Sequence, residues 1–121
     1  MSRKVLVALV ISIGLAAPVS AAMTVGTFLA KAAPLRANPF TAFTNPDYQL
    51  LKAEADAATR QLRAEGEARK AAGKPPIACM PEGETIGILQ MLGGLDALSP
   101  AEKALPLKDG YAKVLAKTYP C

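Results

Sequence analysis

Cys79 and Cys121 form one pair whose residue type could carry chemistry, and Glu82 and Glu84 form another. A thiol pair can be a redox couple, part of a metal site or a disulfide. The two cysteines lie 42 positions apart, far from the Cys-x-x-Cys spacing of a thiol redox centre. They are an even count with one intramolecular pairing, and a disulfide persists in an oxidising compartment. Cys121 closes the sequence, where a chain frays unless something ties it down. A disulfide from Cys121 back to Cys79 is the simplest account, and an intermolecular bridge through Cys121 is the alternative. Closing a loop of this length stabilises a fold by roughly 4 kcal/mol on the chain-entropy view.

The glutamates offer less. Glu82 and Glu84 sit two apart in a Pro- and Gly-containing turn, with no second functional group to orient a substrate. A solvated loop explains them better than an acid–base pair. The sequence has no histidine, which removes the commonest general base, the commonest zinc ligand and the standard hydrolytic triads. Ser2, Ser12 and Ser20 lie near the N-terminus, and Ser99 reads as a helix cap. Metal ligation would fall to carboxylates alone, and Glu82/Glu84 lack the dense Asp/Asn pattern of a calcium loop. These residues predict no catalytic group, no metal and no cofactor, and so a protein that is not an enzyme.

The compartment is read from the N-terminus. Arg3 and Lys4 precede an uncharged apolar run of 13 residues, Val5 to Ala17. Pro18 breaks that run, and Val19-Ser20-Ala21-Ala22 supplies the small residues of a cleavage site. This is the pattern of a secretory signal peptide over residues 1–22, cut after Ala21 or Ala22. A spanning helix takes about 20 apolar residues, so no membrane contact is expected after cleavage. The expected location is the periplasm, with one helical domain over 23–121. Loss of Arg3 and Lys4 leaves 12 basic residues against ten acidic ones, a net charge of +2. That mild balance, without a basic cluster interleaved with aromatics, excludes nucleic acid as a partner.

The elements that position these residues are helical. Thr24 caps a first helix to about Ala33 that Pro34 ends or bends. Leu35 to Thr44 reads as an irregular connector whose Phe40 and Phe43 pack onto the core. Asn45-Pro46-Asp47 opens a long helix ended by Gly73, with Tyr48, Leu51, Ala55, Ala58 and Leu62 on one stripe. That stripe is an intramolecular packing face, or else the seam of a homodimer or a partner-binding helix. A third helix runs from about Thr85–Gly87 to Leu98. Being apolar almost all round, it should be the most buried element. Its Gly93-Gly94 pair permits a close crossing or marks a kink. Ser99-Pro100-Ala101-Glu102 has the composition of a capping box, and a last helix covers Leu107 to Thr118. No stretch alternates as a strand does. The class is all-α: a small bundle of about four helices, stapled by one disulfide.

Two motifs carry a family resemblance: Cys79-Met80-Pro81-Glu82-Gly83 and the closing Tyr119-Pro120-Cys121. A Cys-x-Pro turn, an apolar helix, a Pro-containing turn and a final helix ending in Tyr-Pro-Cys resemble the Rap/Tai family. Those are periplasmic immunity proteins that bind and block type VI secretion peptidoglycan amidase effectors. The resemblance covers roughly residues 77–121. It implies a Cys79–Cys121 disulfide and a non-enzymatic amidase inhibitor whose partner is a protein. No cysteine precedes Cys79 and the charged, Ala-rich 45–73 stretch has no part in the resemblance, so no effector-contacting residue is carried over. The alternative is an envelope-stress, chaperone-like or structural periplasmic protein.

Overall fold

A computed structural model describes residues 23–121. The expected leader 1–22, with the cleavage expected after Ala21 or Ala22, lies outside the described residues. The described chain is all-α. Its α-helices are α1 (Val25–Ala37), α2 (Asp47–Ala71), α3 (Ile88–Asp96), α4 (Pro100–Lys103) and α5 (Leu107–Thr118), with a 3-10 helix at Pro39–Thr44 between the first two. Cys79 and Cys121 are joined as a disulfide, with their Cα atoms 5.0 Å apart.

The helix boundaries follow from local chemistry. The Thr24 hydroxyl accepts from the Thr27 N–H at 3.1 Å and starts α1. The helix continues through Pro34 to Ala37 rather than stopping at Ala33. Proline deletes its own N–H bond, but the Pro34 carbonyl still accepts from the Asn38 N–H at 3.2 Å, so the last turn closes. The Asn45 side chain accepts from the Asp47 N–H at 2.8 Å, while Pro46 already has helical dihedrals (φ −60°, ψ −25°). At the far end of α2, Gly73 has φ +71°. Its N–H donates to the Lys70 carbonyl and the Lys74 N–H to the Arg69 carbonyl, which is a Schellman closure.

Around α4 the expected capping box is complete. Ser99 Oγ accepts from the Glu102 N–H at 3.1 Å, and Glu102 Oε1 accepts from the Ser99 N–H at 3.0 Å. The Ser99 backbone bond lowers the Glu102 pKa, with Lys117 assisting. Replacing Ser99 with Ala is expected to cost about 1 kcal/mol, read as a lower urea midpoint at unchanged slope. The α4–α5 link also holds the start of the described chain. The Val25 N–H donates to the Leu105 carbonyl and the Leu107 N–H to the Met23 carbonyl, an isolated antiparallel bridge and no strand.

The core gathers Val25, Phe28 and Ala32 of α1, Leu51 and Ala58 of α2, Met91, Leu92 and Leu95 of α3, Leu98, and Leu107, Tyr111 and Val114 of α5. Helix α5 packs against α2 and α3, and α1 lies across both. Two glycines set how closely α5 can sit. A Cβ on Gly94 would lie 2.5 Å from Val114 Cγ1, and one on Gly110 would lie 2.3 Å from Val25 Cγ2. Of the Gly93-Gly94 pair, Gly94 therefore permits a close crossing between α3 and α5, while a Cβ on Gly93 would meet nothing within 4 Å.

Two sequence expectations fail. Phe40 and Phe43 do not pack onto the core: they are 95% and 74% exposed. The segment is a 3-10 helix, whose three residues per turn put positions 40 and 43 on one stripe. That stripe points away from the bundle, and the Phe43 ring lies against Tyr48, with ring centroids 5.0 Å apart. Helix α3 is not the most buried element either. It begins at Ile88, later than expected, and its first turn leaves Ile88 and Leu89 largely exposed. Only the side carrying Met91, Leu92 and Leu95 reaches the core.

Candidate functional site

The residues singled out for chemistry do not converge on a reaction centre. Glu82 and Glu84 are both exposed on the segment between Gly73 and α3. Cys79 and Cys121 are exposed too, and bonded to each other. Among the described residues, no three His, Cys, Asp or Glu side chains come together to hold a metal ion.

What the fold does build is a groove of about 660 Å³. One wall is α2, with Ala55, Thr59 and Leu62, and the floor includes Tyr111 and Leu115 of α5 and Met91 of α3. The other wall is the strap 76–87, which contributes Ile77, Met80 and Ile86. Ile88 extends this wall into the exposed first turn of α3. The strap has no regular secondary structure and few ties. Its Cys79 N–H donates to the Tyr119 carbonyl at 2.8 Å, beside the disulfide, and its Glu84 N–H closes a turn onto the Pro81 carbonyl. Partial burial and the neighbouring Glu84 carboxylate push the Tyr119 phenol above its ordinary pKa. The covalent staple and the tail of α5 thus hold the strap across from α2. The volume falls in the usual range for a ligand pocket, and the lining is mainly apolar with a few polar groups, Asp56, Arg63 and Glu84 among them.

On the flank of the groove wall, Lys108 of α5 donates to Glu65 of α2, and this bond raises the Lys108 pKa above its ordinary value against the cost of burial. The tertiary contact between them, 43 positions apart, leaves no local signal.

Tyr111 is the polar group deepest in the groove. It is buried, and no hydrogen bond acts on its hydroxyl among the described residues. Burial pushes its pKa up to about 12, and the Asp56 carboxylate adds to the shift. An unfolded phenol ionises near 10. The unfolded chain therefore loses this proton first, so the stabilisation is intact below about pH 10 and is lost as pH rises toward about 12. Tyr111→Phe is expected to flatten that alkaline loss while leaving stability at about pH 9 nearly unchanged. Urea midpoints at about pH 9 and about pH 11.5 check this, and the same alkaline slope in both proteins would refute it.

The sequence named several groove residues without showing that they meet. Ala55 and Leu62 were read on the α2 stripe. Ile77, Met80 and Ile86 were missed. The available signal was three large apolar side chains in a Pro-rich loop, where a solvated connector would carry polar ones. Among the described residues no helix is long and apolar enough to cross a membrane. No family model matches the chain, and no curated protein or solved structure is significantly similar to it.

Proposed function

We propose that this is an exported, periplasmic, non-enzymatic binding protein whose groove receives a short apolar segment of a partner protein. The observation that carries the reading is the groove itself, roofless between α2 and the strap and continued by the exposed side chains of Ile88 and Leu89. Apolar surface left uncovered beside a preformed cleft is what a protein-binding site presents before its partner arrives. The covalently held strap supports rigid docking, because a wall fixed in advance lowers the ordering cost of association. The resemblance of residues 77–121 to the Rap/Tai family names the partner class: a peptidoglycan amidase effector, blocked on binding.

Two experiments test this. A photo-crosslinking residue placed at position 88 of the exported chain is expected to trap a heterologous protein. Purified amidase effectors encoded beside the gene are expected to be inhibited by the wild type and about tenfold or more less by Ile88→Asp. Crosslinking of the chain to itself alone would make the groove a homodimer seam. If no amidase is inhibited and cells lacking the protein survive sibling attack unchanged, the immunity reading falls.

A further inference from the structure

We propose that the 3-10 helix Pro39–Thr44 is a shallow membrane-surface contact that inserts Phe40 and Phe43 into an anionic lipid surface. The shortness of the leader's apolar run led to the expectation of no membrane contact once the leader is gone, and these rings were separately expected to pack inward. They do not: Phe40 is 95% and Phe43 74% exposed, and the 3-10 repeat aligns them on one stripe.

Three observations favour lipid over a protein partner for this tip. The first is area. Two rings at roughly 150–250 Å² each fall short of the roughly 800 Å² per partner that a specific protein interface takes. A bilayer surface needs no matching contour, and shallow insertion of a few apolar side chains suffices for reversible binding. The second is the prepaid desolvation of the tip's polar groups. The Thr41 hydroxyl donates to the Asn38 carbonyl at 3.3 Å, and the Thr44 hydroxyl to the Thr41 carbonyl at 2.8 Å. The Thr41 and Asn45 N–H groups donate to the Asn38 and Ala42 carbonyls. Polar groups bonded internally can enter an apolar layer without losing partners. The third is charge. Residues 23–46 contain Lys31 and Arg36 and no carboxylate, and the tip itself, 37–46, carries no charge. Arg36 is held at the end of α1 by Asp96 at 2.8 Å, and the nearest carboxylate in sequence, Asp47, is half-buried in the first turn of α2. With Arg36 paired to Asp96, the cation behind the uncharged aromatic tip that can face an anionic headgroup layer is Lys31, which makes no ion pair among the described residues.

The sequence has no tryptophan, so Phe40→Trp makes a single fluorescent reporter at the tip. With vesicles of phosphatidylcholine containing phosphatidylglycerol, its emission is expected to shift to the blue and to be quenched by brominated acyl chains. Binding should weaken as salt rises. Phe43→Ala in the Phe40→Trp protein is expected to lower partitioning by about tenfold. The corresponding reporter Ile88→Trp, at the groove wall, should show no lipid-dependent shift. No shift at position 40 with any vesicle, or an equal shift at position 88, would overturn the proposal. Equal binding to phosphatidylcholine alone would overturn the anionic assignment, and a shift that appears only with an added protein partner would make the tip a protein-binding surface instead.

Discussion

Replacing both cysteines with serine is expected to lower stability by about 3–4 kcal/mol, because the Cys79–Cys121 link spans 42 positions and restricts the unfolded chain accordingly. For a domain of this size that corresponds to a fall in Tm of about 15–25 °C. The effect has two sources in this fold. One is the unfolded-state entropy that any cross-link of this span removes. The other is local: the strap is held opposite α2 by the disulfide and by one backbone bond, Cys79 N–H to the Tyr119 carbonyl, so losing the link frees the groove wall as well. Wild-type protein in a dithiol reductant should melt with the serine variant, since both sulfurs are exposed and open to exchange. Unchanged melting on reduction would show that the helices alone carry the stability.

The second large effect is expected at Leu95. This side chain is fully buried and sits where α1, α3 and α5 meet, close to Val25 and Gly110. Leu95→Ala should cost about 3–5 kcal/mol, because the lost transfer energy is compounded by a void that rigid helices cannot close. Gly110→Ala attacks the same junction from the opposite direction. Its new methyl would meet Val25 Cγ2 at 2.3 Å and Leu95 Cδ2 at 3.3 Å. Alone it should destabilise by about 1–3 kcal/mol through overpacking, more than the ~1 kcal/mol that Ala gains over Gly in a helix. Together the two changes should cost less than their sum, since the smaller side chain at 95 lets the crowded methyl relax. Urea unfolding of the four proteins measures the coupling; strict additivity would mean that the junction does not share its space as described.

The parts of the fold legible in the sequence were those set by neighbours along the chain. The Ser99–Glu102 box, the Gly73 stop, the Asn45-Pro46-Asp47 start and the span of α5 all depend on residues within one or two turns, and all stand as read. The disulfide was legible because only two cysteines exist to pair. The failures came where burial had to be inferred from composition. Phe40 and Phe43 are aromatic and so were placed inside, yet the 3-10 geometry turns them out. Ile88 and Leu89 belong to an apolar helix, but only the side of α3 facing α1 and α5 had a partner. The groove was the least legible feature. Its walls come from α2, the strap, α3 and α5, and their meeting depends on the path of an irregular segment that no periodicity encodes.

The covalent ring drawn by Cys79 and Cys121 encloses α3, α4 and α5. Glu82 and Glu84 lie inside that ring on exposed backbone, open to a glutamate-specific protease. A single nick there would leave both pieces tethered, migrating as one band in electrophoresis until a reductant is added and as two afterwards. Damage to the exposed strap therefore need not release a fragment: a clipped molecule keeps its full mass and its helices, and the break stays silent for as long as its surroundings remain oxidising.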